Sequence, residues 1–242
     1  MKFTSAILAL AVGIASANTL EDDCSSPQRT AIINANQGCA SMASAAADAA
    51  ESGPAETFET FFKDTSQSTR QAVAASFRKV AEECSSTPGG TGKSYCTDEH
   101  GTCGGGLLAY TYWQNTYSGS VGSTYYCPVY YSTIPAKGIR CDDQSQASNT
   151  LHETTHAVLA TRDIAYGLAN VKALSGSQAL HNADSYTYYA IGMCDGGRPR
   201  YVQKTDNMTA IELKCGQSGS GQSYSPVGGG SSTRGRVPWW YS

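Results

Sequence analysis

Two histidines, His152 and His156, flank an acid in the run His152-Glu153-Thr154-Thr155-His156. On a helix this spacing puts both imidazoles on one face, where together they can bind a divalent cation. Glu153 stands beside that face, and its carboxylate can take a proton from a metal-bound water. The metal this pattern suits is Zn2+, one per chain. A hydrolytic zinc needs three protein ligands and an open position, so a third ligand must come from elsewhere. The remaining histidines are His100 and His181, and neither stands at the six-residue offset at which a third histidine completes such sites. Glu212 is the only glutamate beyond Glu153, and it sits close to Cys215 and the tail. Asp163 lies seven positions after His156, a distance similar to that at which extended two-histidine zinc motifs return their third ligand.

These side chains need a helix to display them and a frame to hold it. The helix enters near Ser145 to Ser148 and carries Leu151 through Leu159. Upstream, the Ala-rich run from Ser26 to about Ala50 predicts a long helix, entered at Ser25 or Ser26 with Pro27 and ended by Gly53 and Pro54. Phe58, Phe61 and Phe62 give a second helix around 56–63 its apolar face, and Val73, Phe77 and Val80 recur at helical spacing in a third, 66–83. From Cys84 to Gly106 the composition turns to Gly, Ser, Thr and Cys. Residues 107–113 and 124–131 then read as short aromatic strands around a Ser/Gly turn, stapled at Cys103 and Cys127. A last helix is read over 177–193. The fold class is α+β, predominantly helical, with N-terminal helices, a small antiparallel sheet and the helix of the histidines.

Length and composition bound the rest. A chain of 242 residues, 40% hydrophobic and 15% charged, can bury one sizeable core. Its 17 basic and 20 acidic side chains leave a net charge of −3, which argues against nucleic acid and against an anionic membrane surface as partners. The start MKFTSAILALAVGIASA reads as a secretory signal peptide, 1–17, and no other segment is apolar enough to span a membrane. The expected location is therefore secreted and extracellular. Nine cysteines in an exported chain imply disulfides with one cysteine left over, and the absence of any CxxC pair argues against cysteine zinc ligands. Asn207-Met208-Thr209 is a glycosylation sequon at Asn207. The low-complexity stretch 217–242 reads as a disordered Gly/Ser-rich tail, leaving 18–216 as the folded domain.

The run ALATRDIAYG, with Thr161, Asp163, Tyr166 and Gly167, resembles the GTxDxxYG signature of the deuterolysin, or aspzincin, metallopeptidases, fungal zinc endopeptidases whose third zinc ligand is an aspartate. The likeness continues through LSGSQALHNADSYTYYA and reaches back to the TYYC segment and the N-terminal helices, over roughly residues 22 to 195. The resemblance implies a zincin-like metallopeptidase fold, His152, His156 and Asp163 as zinc ligands, Glu153 as base, and Tyr166 as the phenol that helps hold the tetrahedral intermediate. It places Asp184 and Thr187 at the substrate-pocket acid pair of lysine-preferring members. Since only Asp184 is acidic, it implies a tilt towards basic residues without strict lysine selectivity. It also implies the pairs Cys24–Cys96 and Cys103–Cys127 and a pair between Cys141 and Cys194 or Cys215; the additional Cys39 and Cys84, one on the first helix and one ending the third, are then expected to bridge those helices.

Two features depart from the family pattern. Ala160 stands where the signature has glycine, on a short connection from His156 to Asp163, so the turn is expected to form with Thr161 and Arg162. Only a few residues separate Ala17 from Cys24, which leaves no room for the large propeptide of many members. The expected function is secreted zinc-dependent endoproteolysis by a monomer acting on protein or peptide substrates. The alternatives are a secreted zinc-binding or host-interaction protein with a degenerate peptidase site, and a carbohydrate-binding module built on the tyrosine-rich sheet.

Overall fold

The computed structural model describes residues 19–85, 92–116, 119–136, 143–192, 194–195 and 198–199. A two-residue strand β1, Thr19–Leu20, leads into helix α1, Ser26–Ser52. The Gln28 side-chain oxygen accepts the Ser25 backbone N–H at 3.0 Å, and Pro27 occupies the first turn, where no helical partner for its nitrogen is needed. Helix α2 is Ala55–Phe62 and α3 is Gln67–Ser85. Ala43, Ala46, Ala47 and Ala50 are buried on α1, a stripe of small side chains that lets α3 pack close. Arg70 of α3 closes the end of α1. Its Nε donates to the Ala50 carbonyl and an Nη to the Gly53 carbonyl, both at 2.7 Å, satisfying groups a helix terminus leaves without partners.

Strand β2 is Lys93–Tyr95, and β3, Ala109–Thr116, forms a hairpin with β4, Gly119–Tyr126. The sheet order is β1-β2-β4-β3. The hairpin is antiparallel, with Tyr110 opposite Tyr125 and Trp113 opposite Gly122, but β2 runs parallel to both β1 and β4. The sheet is therefore mixed where sequence suggested an antiparallel one. Hairpin pairing is local and leaves signals in the turn, whereas a three-residue strand joining from 24 or more residues away leaves none. The second strand also stops earlier than read. Cys127 caps a short helix α4, Pro128–Thr133, and the fixed φ of Pro128 suits a helix's first turn.

Helix α5, Gln146–Leu159, is capped by Ser145, whose hydroxyl accepts the Ser148 N–H at 3.2 Å while the Ser148 hydroxyl accepts the Ser145 N–H at 2.8 Å. Every residue from Gln146 to His156 is buried. Two glycines permit that depth: a Cβ on Gly38 of α1 would lie 2.6 Å from the Ala147 Cβ, and one on Gly122 of β4 would lie 2.6 Å from the Ala157 Cα. The helix is thus gripped between α1 and the sheet.

The last described residues form short pieces: α6, Leu168–Val171; α7, Gly176–Leu180; α8, Ala183–Ile191; and a ladder of β5, Cys194–Asp195, with β6, Arg198–Pro199. The single helix read over 177–193 is broken at His181 and Asn182. Asn182 is extended, at φ −107° and ψ 124°, because it bridges in parallel to Arg162. Phe58 and Phe62 of α2, Phe77 of α3 and Tyr186 and Tyr189 of α8 meet in one core, with Phe62–Tyr186, Phe62–Tyr189 and Phe77–Tyr186 rings each 5.3 Å apart. Each such ring contributes about 1.5–3 kcal/mol by burial. Disulfides join Cys24 to Cys96, Cys39 to Cys84 and Cys103 to Cys127. The fold is α+β and predominantly helical. Residues 1–17, Cys141, Cys215, Asn207 and 217–242 lie outside the described residues, and Cys194 is described only as strand backbone, so the expected signal segment, fourth cysteine pair, sugar site and tail lie there too. Among the described residues no helix is long and apolar enough to cross a membrane.

Candidate metal centre

Helix α5 turns His152 and His156 to one side, and the segment after it must bring the chain back towards them. The helix ends at Ala160, which takes the left-handed conformation at φ 55° and ψ 35° while its N–H donates to the His156 carbonyl at 3.1 Å. The turn is therefore made by Ala160 itself, in the conformation glycine most easily supplies, and not by Thr161 and Arg162. Arg162 instead exchanges backbone hydrogen bonds with the segment before α8: its N–H donates to His181 and its carbonyl accepts from Ala183, at 2.8 and 3.0 Å.

This return places Asp163 over the histidines. Its Oδ1 lies 3.0 Å from His152 Nε2, its Oδ2 lies 3.2 Å from His156 Nε2, and the two Nε2 atoms are 3.2 Å apart. Of the other candidate ligands, His181 is exposed with its Nδ1 on the Ser177 carbonyl at 2.8 Å, and His100 stacks on Tyr112 at 4.1 Å. Glu212 lies outside the described residues.

The far sides of the imidazoles are also engaged. His152 Nδ1 is 2.8 Å from Asp184 Oδ1, and His156 Nδ1 is 2.9 Å from the Thr161 carbonyl oxygen. A carbonyl can only accept, so His156 Nδ1 carries the proton and, in the neutral ring, Nε2 presents a lone pair. The same tautomer for His152 follows from the Asp184 carboxylate. Two nitrogen lone pairs and a carboxylate then converge on one point, which is repulsive until a cation sits there. Imidazole and carboxylate are donors that zinc accepts, so the set fits that ion. A proton and a cation compete for this point, since the ligand atoms must be bare to bind a metal. Burial alone would lower the His152 pKa, but Asp163 and Asp184 outweigh it and hold the group well above its usual value. Burial would raise Asp163, yet the two histidines hold it well below the usual carboxylate range.

Glu153 is buried, and the Thr111 hydroxyl of β3 lies 2.8 Å from its Oε2. Burial raises its pKa, against the lowering effect of His152 and His156. Tyr166 is half-buried with its ring nearly parallel to that of His152, at a centroid distance of 6.2 Å.

Asp184 and Thr187, the expected substrate-pocket residues, are both buried. Asp184 is 5% exposed, and its second oxygen accepts the Gly167 N–H at 2.8 Å. Thr187 is 0% exposed, and its hydroxyl donates to the Ala183 carbonyl inside α8. Asp184 thus ties His152 to the backbone beside Tyr166. Sequence reasoning missed Asn182, whose buried side-chain oxygen accepts the N–H groups of both Ile164 and Ala165 at 2.9 Å. Its side chain does not cap α8, and nothing local in the sequence points to this role, because its partners stand 18 and 17 residues away.

Comparison with known proteins agrees with this geometry. Residues 3–215 match the family described as the Deuterolysin metalloprotease (M35) family. The chain is 43% identical over 175 residues to a neutral protease 2 homolog of Botryotinia fuckeliana, covering 71% of this chain and 48% of that protein. It is 39% identical over 197 residues to neutral protease 2 of Aspergillus oryzae, covering 80% and 49%. A neutral protease 2 homolog of Aspergillus flavus gives 39% over 197 residues, covering 80% and 61%. The chain thus spans about half the length of the curated relatives it matches.

Proposed function

The chain belongs to the deuterolysin metalloprotease (M35) family, and from that premise we propose that it is a zinc-dependent endopeptidase acting outside the cell. The observation that carries this is the convergence of His152, His156 and Asp163 beside the buried carboxylate of Glu153. Zinc held by those three side chains would polarise the scissile carbonyl and acidify the attacking water. Glu153, steadied by Thr111, takes the water's proton and passes it to the leaving amine, a role favoured by a carboxylate whose burial raises its pKa. Tyr166 donates its phenol proton in a hydrogen bond to the oxyanion that develops on the substrate. Strand β3 closes one end of the sheet order, and an extended peptide laid along its outer edge runs past Thr111 and so past Glu153.

The finer points belong to the same proposal. Asp184 is committed to His152 and Gly167, so a preference for basic substrates rests on the long-range attraction of a chain of net charge −3. Export through a signal segment at 1–17, a monomeric state and a unit 18–216 followed by a tail complete it, in keeping with three disulfides, which persist in oxidising compartments.

The test is cleavage of a basic protein such as a histone by the zinc-loaded chain, with and without chelator, and by Glu153→Gln. The proposal expects chelator-sensitive internal cleavage, and a loss of about 10²–10⁴-fold in kcat for the variant. Zinc uptake without cleavage would instead leave a zinc-binding protein with no peptidase function, and full activity in Glu153→Gln would remove Glu153 as the base.

A further inference from the structure

Within the five-residue motif, Thr154 and Thr155 have no assigned chemistry, and Thr155 is 0% exposed and bonded on two sides. Its hydroxyl donates to the His152 carbonyl at 2.7 Å, a bond that threonines in helices often make. The second bond is less ordinary: Thr155 Oγ1 lies 2.8 Å from Oγ1 of Thr161, beyond the end of the helix. Thr161, 7% exposed, lies against His156 twice, with its carbonyl oxygen 2.9 Å and its hydroxyl 3.3 Å from Nδ1.

Counting protons fixes the direction of each bond. A hydroxyl has one proton to give. That of Thr155 goes to the His152 carbonyl, which can only accept. The proton between the two hydroxyls must then come from Thr161. With its only proton turned towards Thr155, Thr161 offers His156 Nδ1 nothing but acceptors, a carbonyl oxygen and a hydroxyl lone pair. Nδ1 must carry the ring proton, and Nε2 is left bare towards Asp163 and His152.

We infer that Thr155 and Thr161 are positioning residues, a hydroxyl pair that holds His156 in the one tautomer able to bind a metal. This rests on the zinc peptidase reading above. Thr155 acts at a distance: without its oxygen, the Thr161 proton loses its acceptor and turns to the nearest alternative, His156 Nδ1. The ring proton is thereby pushed towards Nε2, the atom that must face the cation. Partners of this kind typically alter metal affinity by about 10–100-fold when removed.

The experiment is zinc titration against a competing chelator for the native chain, Thr155→Val, Thr155→Ser and Thr161→Val, paired with thermal unfolding of each metal-free chain. Thr155→Val is expected to bind zinc about 10–100-fold more weakly, while Thr155→Ser, which keeps the oxygen, stays close to native. Valine is the better shape match, so a purely packing role would make serine the more damaging change in both measurements. Should Thr155→Val fail to fold, Thr161→Val cuts the same bond from its other end and is expected to weaken zinc several-fold. Native zinc affinity in both valine variants overturns the inference alone. A native chain that takes up no zinc overturns the peptidase reading and the inference with it.

Discussion

At the scale of single residues, the centre is built from groups whose second contacts matter as much as their first. Asp184 is the clearest case, with one oxygen on His152 Nδ1 and the other on the Gly167 N–H, both at 2.8 Å. Asp184→Asn keeps the shape but removes the charge that fixes the imidazole, and is expected to weaken zinc binding about 10–100-fold. A substrate-pocket role would instead leave zinc affinity unchanged and alter only the preference for basic side chains. Competitive zinc titration beside peptide kinetics separates the two. His152, Glu153 and His156 were legible because helical spacing alone brings them together, and Asp163 because its distance from His156 matches a known return of the chain. The roles of Asp184, Asn182 and Thr111 were not. Their partners lie 17 to 42 residues away in sequence and are chosen by tertiary packing.

At the scale of elements, α5 is held in place because it lies deep. Gly122 is the contact that allows β4 to touch it, and Thr111 on β3 holds Glu153 from the same side. Gly122→Ala would put a methyl 2.6 Å from the Ala157 Cα, so α5 must move off the sheet. Overpacking of this kind costs about 1–3 kcal/mol. The expected result is a lower Tm together with reduced kcat, since Glu153 is drawn away from Thr111. An unchanged kcat in a folded variant would show that the strand does not position the base. Helix starts were readable from Ser25, Pro27 and Ser145, where capping chemistry is local. The break between α7 and α8 was not, because Asn182 is held extended by its bridge to Arg162, a partner supplied from the loop of the third ligand. The parallel pairing of β2 was hidden for the same reason.

At the scale of the whole molecule, charge and cross-links frame the site without forming it. Cys39–Cys84 fastens α1 to α3 under the active helix, where Cys84 Sγ lies 3.4 Å from Thr154 Oγ1. The net charge of −3 makes any pull on basic substrates long-range and therefore screened. Cleavage of a histone relative to a neutral protein is expected to fall as ionic strength rises from about 0.01 to 0.15 M, as the Debye length shrinks from about 30 to 8 Å. A ratio independent of salt would mean that a specific contact, and not the overall field, sets the preference. All of this depends on the proposal that His152, His156 and Asp163 together hold one metal ion. The most direct test is the zinc content of the dialysed native chain and of Asp163→Ala, read by elemental analysis. One zinc per native chain is expected, with most of it lost from the variant. Full zinc retention by Asp163→Ala, or a native chain that holds none, would contradict the proposal.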